Sequence, residues 1–86
     1  MEPYAFALPV NLLFIQGSAT TFMLCFLVVA SDGVNTPLYF QENFVYDATQ
    51  AAATNISNVK AQIVSGAAQQ GLTVLTSNVL VFTTVS

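Results

Sequence analysis

The sequence predicts an α+β fold: a small mixed sheet of about four strands with one helix packed on one face, in the order β-β-β-α-β. Three observations support this class. The chain has 86 residues, which suits one small domain with a single core. Its first half holds three apolar stretches separated by turn-forming residues. A helical spacing of apolar residues then follows residue 47.

The first apolar stretch, Tyr4 to Ile15, is predicted to be an arm or an edge strand. It is preceded by Pro3 and contains Pro9. Proline cannot donate a hydrogen bond to a sheet ladder, so it is confined to edges, strand ends and bulges. We therefore expect residues 1–16 to form an N-terminal apolar arm or edge strand, and residues 17–86 to form a single α+β domain.

The second and third apolar stretches are predicted to form a hairpin. Thr20 to Ala30 is rich in Phe and Val, which favour strands, and a run of turn formers occupies residues 31–37. Leu38 to Tyr46 alternates with the period of two that strands require. Its more apolar face is interrupted by Glu42.

A helix is predicted from Ala48 to Gln70. Asp47, with Gln50 three residues later, resembles a capping box and is the predicted N-cap. Gly71 is the predicted stop, and Gly66 is an earlier alternative. The apolar residues expected to face the sheet recur every three or four positions: Ala52, Ile56, Val59, Ile63 and Ala67. Beyond the helix, residues 72–75 and 79–82 indicate one bent strand or two short ones.

One helix can cover only one face of a sheet. Half of the side chains of the second strand therefore have no predicted packing partner. Alternate residues of a strand point to opposite faces. Phe22, Leu24, Phe26 and Val28 can lie under the helix, while Met23, Cys25, Leu27 and Val29 point away from it. We expect Met23, Leu27 and Val29 to form an interface covered by another polypeptide. The alternative is that the chain's own Tyr4 to Ile15 arm covers part of this face.

Charge is sparse and excludes a nucleic-acid partner. Lys60 is the only basic residue, and the chain has four acidic residues and no histidine. A single cation cannot neutralise a row of phosphates. A surface with so few charges also offers little electrostatic repulsion between copies, which favours association.

No residue pattern indicates catalysis, a cofactor or a metal. Without histidine, His-dependent triads and His metal sites are excluded. Asp32 lies in a turn signal and Asp47 in a capping position, which leaves Glu42 without a partner for acid/base chemistry. The lone Cys25 reads as a small buried apolar residue. The glycosylation sequon at Asn55 falls within the predicted helix, so we interpret it as chance. We therefore expect a protein that is not an enzyme.

A membrane-spanning helix over residues 12–30 is the main alternative. The stretch is 19 residues long, close to the roughly 20 that a bilayer requires. Against it, polar residues cluster at positions 16–21, in the first half of the stretch, and basic flanking residues are missing. On this alternative the protein is a small integral membrane subunit.

The segment FVYDATQAAATNISNVKAQIVSGAAQQGLTVLTSNVLVF, Phe44 to Phe82, resembles small structural proteins of tailed-phage virions, such as capsid decoration or cement proteins. The resemblance lies in the neutral Ala/Thr/Ser/Asn/Gln/Val composition and the small size, and it supplies no functional residue. It implies a structural subunit located in a virion, with copies of itself and other structural proteins as partners. A third hypothesis, a small-ligand binding module, depends on the aromatic residues Tyr39, Phe40, Phe44 and Tyr46.

Overall fold

The chain forms a four-stranded sheet with one long helix packed on one face, in the order β-β-β-α-β. The computed structural model describes residues 2–14 and 19–82. The strands are β1 (Tyr4–Phe14), β2 (Thr21–Ser31), β3 (Leu38–Asp47) and β4 (Val79–Val81). The helix, α1, spans Ala52–Gln69, and a short 3-10 helix, Thr76–Asn78, precedes β4. The predicted fold class is confirmed.

The strands lie in the spatial order β3-β2-β1-β4. β1 pairs antiparallel with β2, and β2 pairs antiparallel with β3. β4 pairs parallel with β1 over Ala5–Ala7. Helix α1 therefore carries the chain across the sheet from one edge, β3, to the other, β4.

The N-terminal stretch is an internal strand, so the expectation of an arm or edge strand is wrong for its first half. Ala5, Phe6 and Ala7 pair with β2 on one side and with β4 on the other. Pro9 lies beyond the three residues that pair with β4, where the register with β2 also shifts. A proline at such an irregularity removes no hydrogen bond that the β1/β4 ladder needs. The predicted boundary between residues 16 and 17 falls outside the described residues.

The β2–β3 hairpin confirms the second and third predicted strands within one residue at each end. Its turn is closed by Asp32, whose Oδ1 accepts from the backbone N–H groups of Val34 and Asn35, both at 2.8 Å. Gly33 has a φ of 82°, a conformation that glycine adopts without steric cost.

Helix α1 begins four residues later than predicted, and Asp47 is not its N-cap. The residue at the N-cap is Ala51, and no side chain caps the first turn. Asp47 is still paired with Thr21 as the last residue of β3, so its backbone is extended and cannot open a helix. Its carboxylate instead accepts from the N–H and the hydroxyl of Thr49, at 2.9 and 2.6 Å.

The helix ends at Gln69, one residue before the predicted Gln70, and Gly71 is the stop as predicted. The N–H of Leu72 donates to the carbonyl of Ala67 at 2.9 Å, and that of Gly71 to Ala68 at 3.0 Å. This is the Schellman arrangement, which places a glycine with positive φ just after the helix, and Gly71 has a φ of 89°. The alternative end at Gly66 is wrong, because the helix continues through that residue.

The core lies between α1 and the inner face of the sheet. Val59, Ile63 and Ala67 of the predicted stripe are buried there, whereas Ala52 is exposed and Ile56 is half-buried. The sheet contributes residues that all point towards the helix: Ala5, Ala7, Phe26, Val28, Ala30, Phe44 and Val79. Leu24 packs against this cluster. The predicted inner row of β2 is thus confirmed for Leu24, Phe26 and Val28.

Candidate interaction surface

The face of the sheet opposite α1, here called the outer face, carries the second set of side chains from every strand. Directly paired residues of neighbouring strands share a face. The pairings Phe6–Val29, Leu8–Leu27 and Val29–Tyr39 therefore extend the outer face across three strands. Its members are Tyr4, Phe6, Leu8, Asn11, Thr21, Met23, Cys25, Leu27, Val29, Ser31, Tyr39, Gln41, Asn43, Val45, Asp47 and Leu80.

The three predicted interface residues lie on this outer face. Leu27 is 36% exposed, while Met23 and Val29 are half-buried between the neighbouring strands. Other apolar side chains on the same face have larger exposed fractions, with Tyr39 at 65% and Leu80 at 57%. The rings of Tyr4 and Phe6 stack along the same face, with centroids 6.4 Å apart. The outer face is therefore a continuous apolar surface wider than the β2 residues alone indicated.

No helix or strand in the described part of the chain lies over the outer face. Helix α1 contacts β3 and β4 from the inner side, with its buried residues in the core cluster. The N-terminal stretch lies beside β2 in the same sheet, so the alternative that it covers the outer face is wrong. It enlarges that face instead.

The centre of the outer face carries no formal charge on its described residues, and Asp47, paired with Thr21, brings a carboxylate to one corner. Its polar side chains are amides, and Gln41 donates to Asn43 at 3.2 Å within β3. Glu42 points to the opposite side, where its Oε2 accepts from the Nε2 of Gln62 at 2.8 Å. Lys60 belongs to α1, on the other layer of the molecule. An apolar partner could therefore approach the centre of the outer face without stripping water from a charged group.

An apolar groove on the inner side is the second open surface. It has a volume of about 540 Å³ and lies between the first half of α1 and the end of the sheet near Phe22. Phe22 stacks on Tyr46 with ring centroids 4.9 Å apart. The other described residues that line it are Leu24, Phe26, Ala52, Ile56 and Val59.

The aromatic residues behind the ligand-binding hypothesis do not gather around this groove. Tyr39 lies on the outer face, and Phe44 is buried in the core with Phe40 packed beside it. Of these four residues, Tyr46 alone lines the groove. The geometry does not unite them into one binding site.

The carboxylates remain apart as well. Asp32 closes the hairpin turn, Asp47 binds Thr49, and Glu42 binds Gln62. Hydrogen bonds from the backbone of Asn35 and Val34 lower the pKa of Asp32, and those from Thr49 lower the pKa of Asp47. Within residues 2–14 and 19–82 no three His, Cys, Asp or Glu side chains lie close enough to hold a metal ion.

Cys25 and Asn55 both lie in buried positions. Cys25 is buried, between Asn11 of β1 and Asn43 of β3. Asn55, read as a chance sequon, is 1% exposed, and its amide binds the backbone of Asp47 on both sides. Its structural role was missed, because a polar residue on a helix usually faces solvent.

The stretch proposed as a membrane helix is a pair of strands where it is described, Leu12–Phe14 and Thr21–Ala30. Among the described residues, no helix has the length and apolar character needed to cross a bilayer. No protein-family model, curated protein or solved structure matches the chain.

Proposed function

We propose that this chain is a non-enzymatic structural subunit of a multi-chain assembly, of the virion decoration or cement type. The observation that carries the proposal is the outer face: an apolar sheet surface, uncharged at its centre, that no described element of the chain covers. Large contiguous apolar patches on soluble proteins mark interaction sites. The partners are copies of the chain and other structural proteins of the assembly.

Burial energetics support this role. Fully burying one Leu, Val or Met side chain contributes roughly 1.5 to 3 kcal/mol. The outer face presents Met23, Leu27 and Val29 in one row, with Leu8 beside them. Met23 and Val29 are already half-buried, so covering this row supplies part of that free energy for each side chain, without a charged contact at the centre of the face.

The remaining surface supports the same class of function. The exposed side of α1 carries Ala, Thr, Ser and Asn, and the chain as a whole has only 6% charged residues. Ordinary soluble domains have roughly 25%. Few charges leave little repulsion between closely packed copies, as a regular assembly requires.

The test replaces Leu27 and Val29 by Thr in the full chain and measures its share in particles isolated from the native host by density gradient. Threonine keeps the strand propensity while weakening an apolar contact. We expect at least about a tenfold loss of incorporation. Val34→Thr is the matched control, because Val34 lies in the hairpin turn and is already 85% exposed.

The proposal fails if the wild-type chain sediments as free protein of 9.2 kDa, away from any particle. It also fails if the double variant enters particles as well as the wild type and the Val34→Thr control do.

A further inference from the structure

We propose that the occupant of the outer face is a second copy of this chain, packed sheet on sheet about a two-fold axis. This inference rests on the proposed function, since it names the partner that covers the same surface. In such a dimer the two sheets lie roughly 10 Å apart and the helices lie outside. Each protomer presents the same patch to its partner, as in other two-fold interfaces.

The layout of the outer face suits a self-complementary interface. The central strands β1 and β2 present mostly apolar side chains, including Phe6, Leu8, Leu27 and Val29, together with the polar Asn11 of β1. The amides of Gln41 and Asn43 lie on β3, at one edge of the sheet. An apolar centre with polar groups at the rim is the usual anatomy of a protein interface.

The absence of charge favours an identical partner over a charged one. Two copies of a surface with charges at its centre would place like charges opposite each other, whereas the centre of the described outer face has none and Asp47 lies at its corner. A basic or acidic partner finds no complementary group at that centre. An anionic membrane finds none either, because Lys60, the only basic residue, lies on α1 behind the sheet.

The size of the face reaches the minimum for a specific interface. Strands β1, β2 and β3 are 11, 11 and 10 residues long. With about 3.3 Å per residue and about 4.8 Å between strands, they cover roughly 500 Å² of flat area. Two such faces bury roughly 1,000 Å² before side-chain relief is counted, which reaches the lower bound for a specific interface.

The experiment measures the mass of the full chain by sedimentation velocity over a range of concentrations. We expect twice the mass of one 9.2 kDa chain for the wild type. Leu27→Lys and Leu27→Glu each place a charge at the centre of the face. Each should raise the dissociation constant at least about 30-fold, as loss of an interface hot spot does.

An equimolar mixture of the two Leu27 variants should recover the dimer. Central residues of a two-fold interface lie near their own copies, so the mixture replaces like charges with opposite ones. Gln41→Lys is a second variant at an exposed polar position of the same face, where a folding defect is not expected. Ala61→Lys, on the exposed side of α1, is the control and should leave the dimer unchanged.

A wild-type chain that stays monomeric at every concentration overturns the inference. So does a Leu27→Lys dimer as tight as the wild type, a mixture that remains monomeric, or a wild-type chain that floats with anionic vesicles instead of dimerising. The proposed function fails separately. A monomeric wild type that still needs Leu27 and Val29 to enter native particles would retain that function and overturn the second copy alone.

Discussion

At the residue scale, a single buried amide joins the sheet to the helix. Asn55 accepts a hydrogen bond from the N–H of Asp47 at 3.1 Å and donates one to its carbonyl at 2.9 Å. A longer contact of 3.4 Å reaches the carbonyl of Ala51 at the N-cap. Asn55 thus satisfies backbone groups at the point where β3 ends and no side chain caps the helix.

Replacing Asn55 by Ala should therefore lower the free energy of unfolding by about 2 kcal/mol, because buried backbone groups lose their partners. Chemical denaturation of the full chain measures the change. Asn58→Ala on the exposed side of α1 is the control and should stay within about 0.5 kcal/mol of the wild type. Equal stability of the two variants would show that the Asn55 contacts contribute nothing.

Gly66 is the second residue with a specific role. A Cβ at this helical position would overlap Glu42 Oε1 and lie 3.0 Å from Phe40 Cε2. Glycine therefore lets the helix approach the half-buried carboxylate of β3, at a cost in helix propensity of about 1 kcal/mol relative to Ala.

We expect Gly66→Ala to destabilise the chain despite the better helix propensity of alanine. In a Glu42→Ala background the loss should shrink by at least about 0.5 kcal/mol, the signature of residues in contact. A double-mutant cycle by denaturation measures this coupling. Ser65→Ala, one position away and exposed, should show none, and additive effects for Gly66 and Glu42 would refute the contact.

At the scale of elements, the β2–β3 turn should make stability depend on pH. The backbone N–H groups of Asn35 and Val34 hold the pKa of Asp32 below its ordinary value of 3.8. A depressed pKa means that the folded chain favours the ionised form. The contribution of the Asp32 carboxylate to the free energy of unfolding is therefore complete above pH 3.8. It is lost as the pH falls through the lower pKa of the folded state.

Asp32→Asn keeps the shape of the turn but cannot ionise. Its melting temperature should be below that of the wild type near neutral pH, and the two should converge in the acid range below pH 3.8. Thermal unfolding at several pH values measures the difference. Val34→Thr in the same turn is the control, whose difference from the wild type should not change with pH. If the difference in melting temperature between Asp32→Asn and the wild type did not change with pH, the stabilising role of the ionised Asp32 would be contradicted.

Elements whose signal is local could be predicted from the sequence. The alternation of Leu38 to Tyr46 and the glycine at position 71 depend only on neighbouring residues, and both predictions are confirmed. The helix start was wrong because Asp47 is held in the sheet by Thr21, a partner 26 positions away. The prediction that β1 is an edge strand was wrong for the same reason. The presence of Pro9 does not show how far along β1 the pairing with β4 extends.

For the outer face, too, only the local signal could be predicted from the sequence. The period of two predicted that Met23, Leu27 and Val29 point away from the helix, and the pairing places them there. The width of the face was not predictable, because Leu8, Tyr39 and Leu80 join it only through the strand register. That these residues form an interface stays a prediction.

At the scale of the whole molecule, the described chain has two layers and one of its two sheet faces is covered. An antiparallel sheet in water usually pairs an apolar inner face with a polar outer one. Here both faces of β2 are apolar, and the inner one is covered by α1. We therefore propose that another polypeptide supplies a third layer on the outer face.

The measurement that tests this most directly is hydroxyl-radical labelling of the wild-type chain at low and high concentration, read by mass spectrometry at Leu27. Val34 in the turn serves as the internal reference. We predict that labelling of Leu27 relative to Val34 falls at least about fivefold as the chain assembles, since interface centres exclude water. A ratio that stays the same at all concentrations, while the mass of the particle rises, would contradict the account.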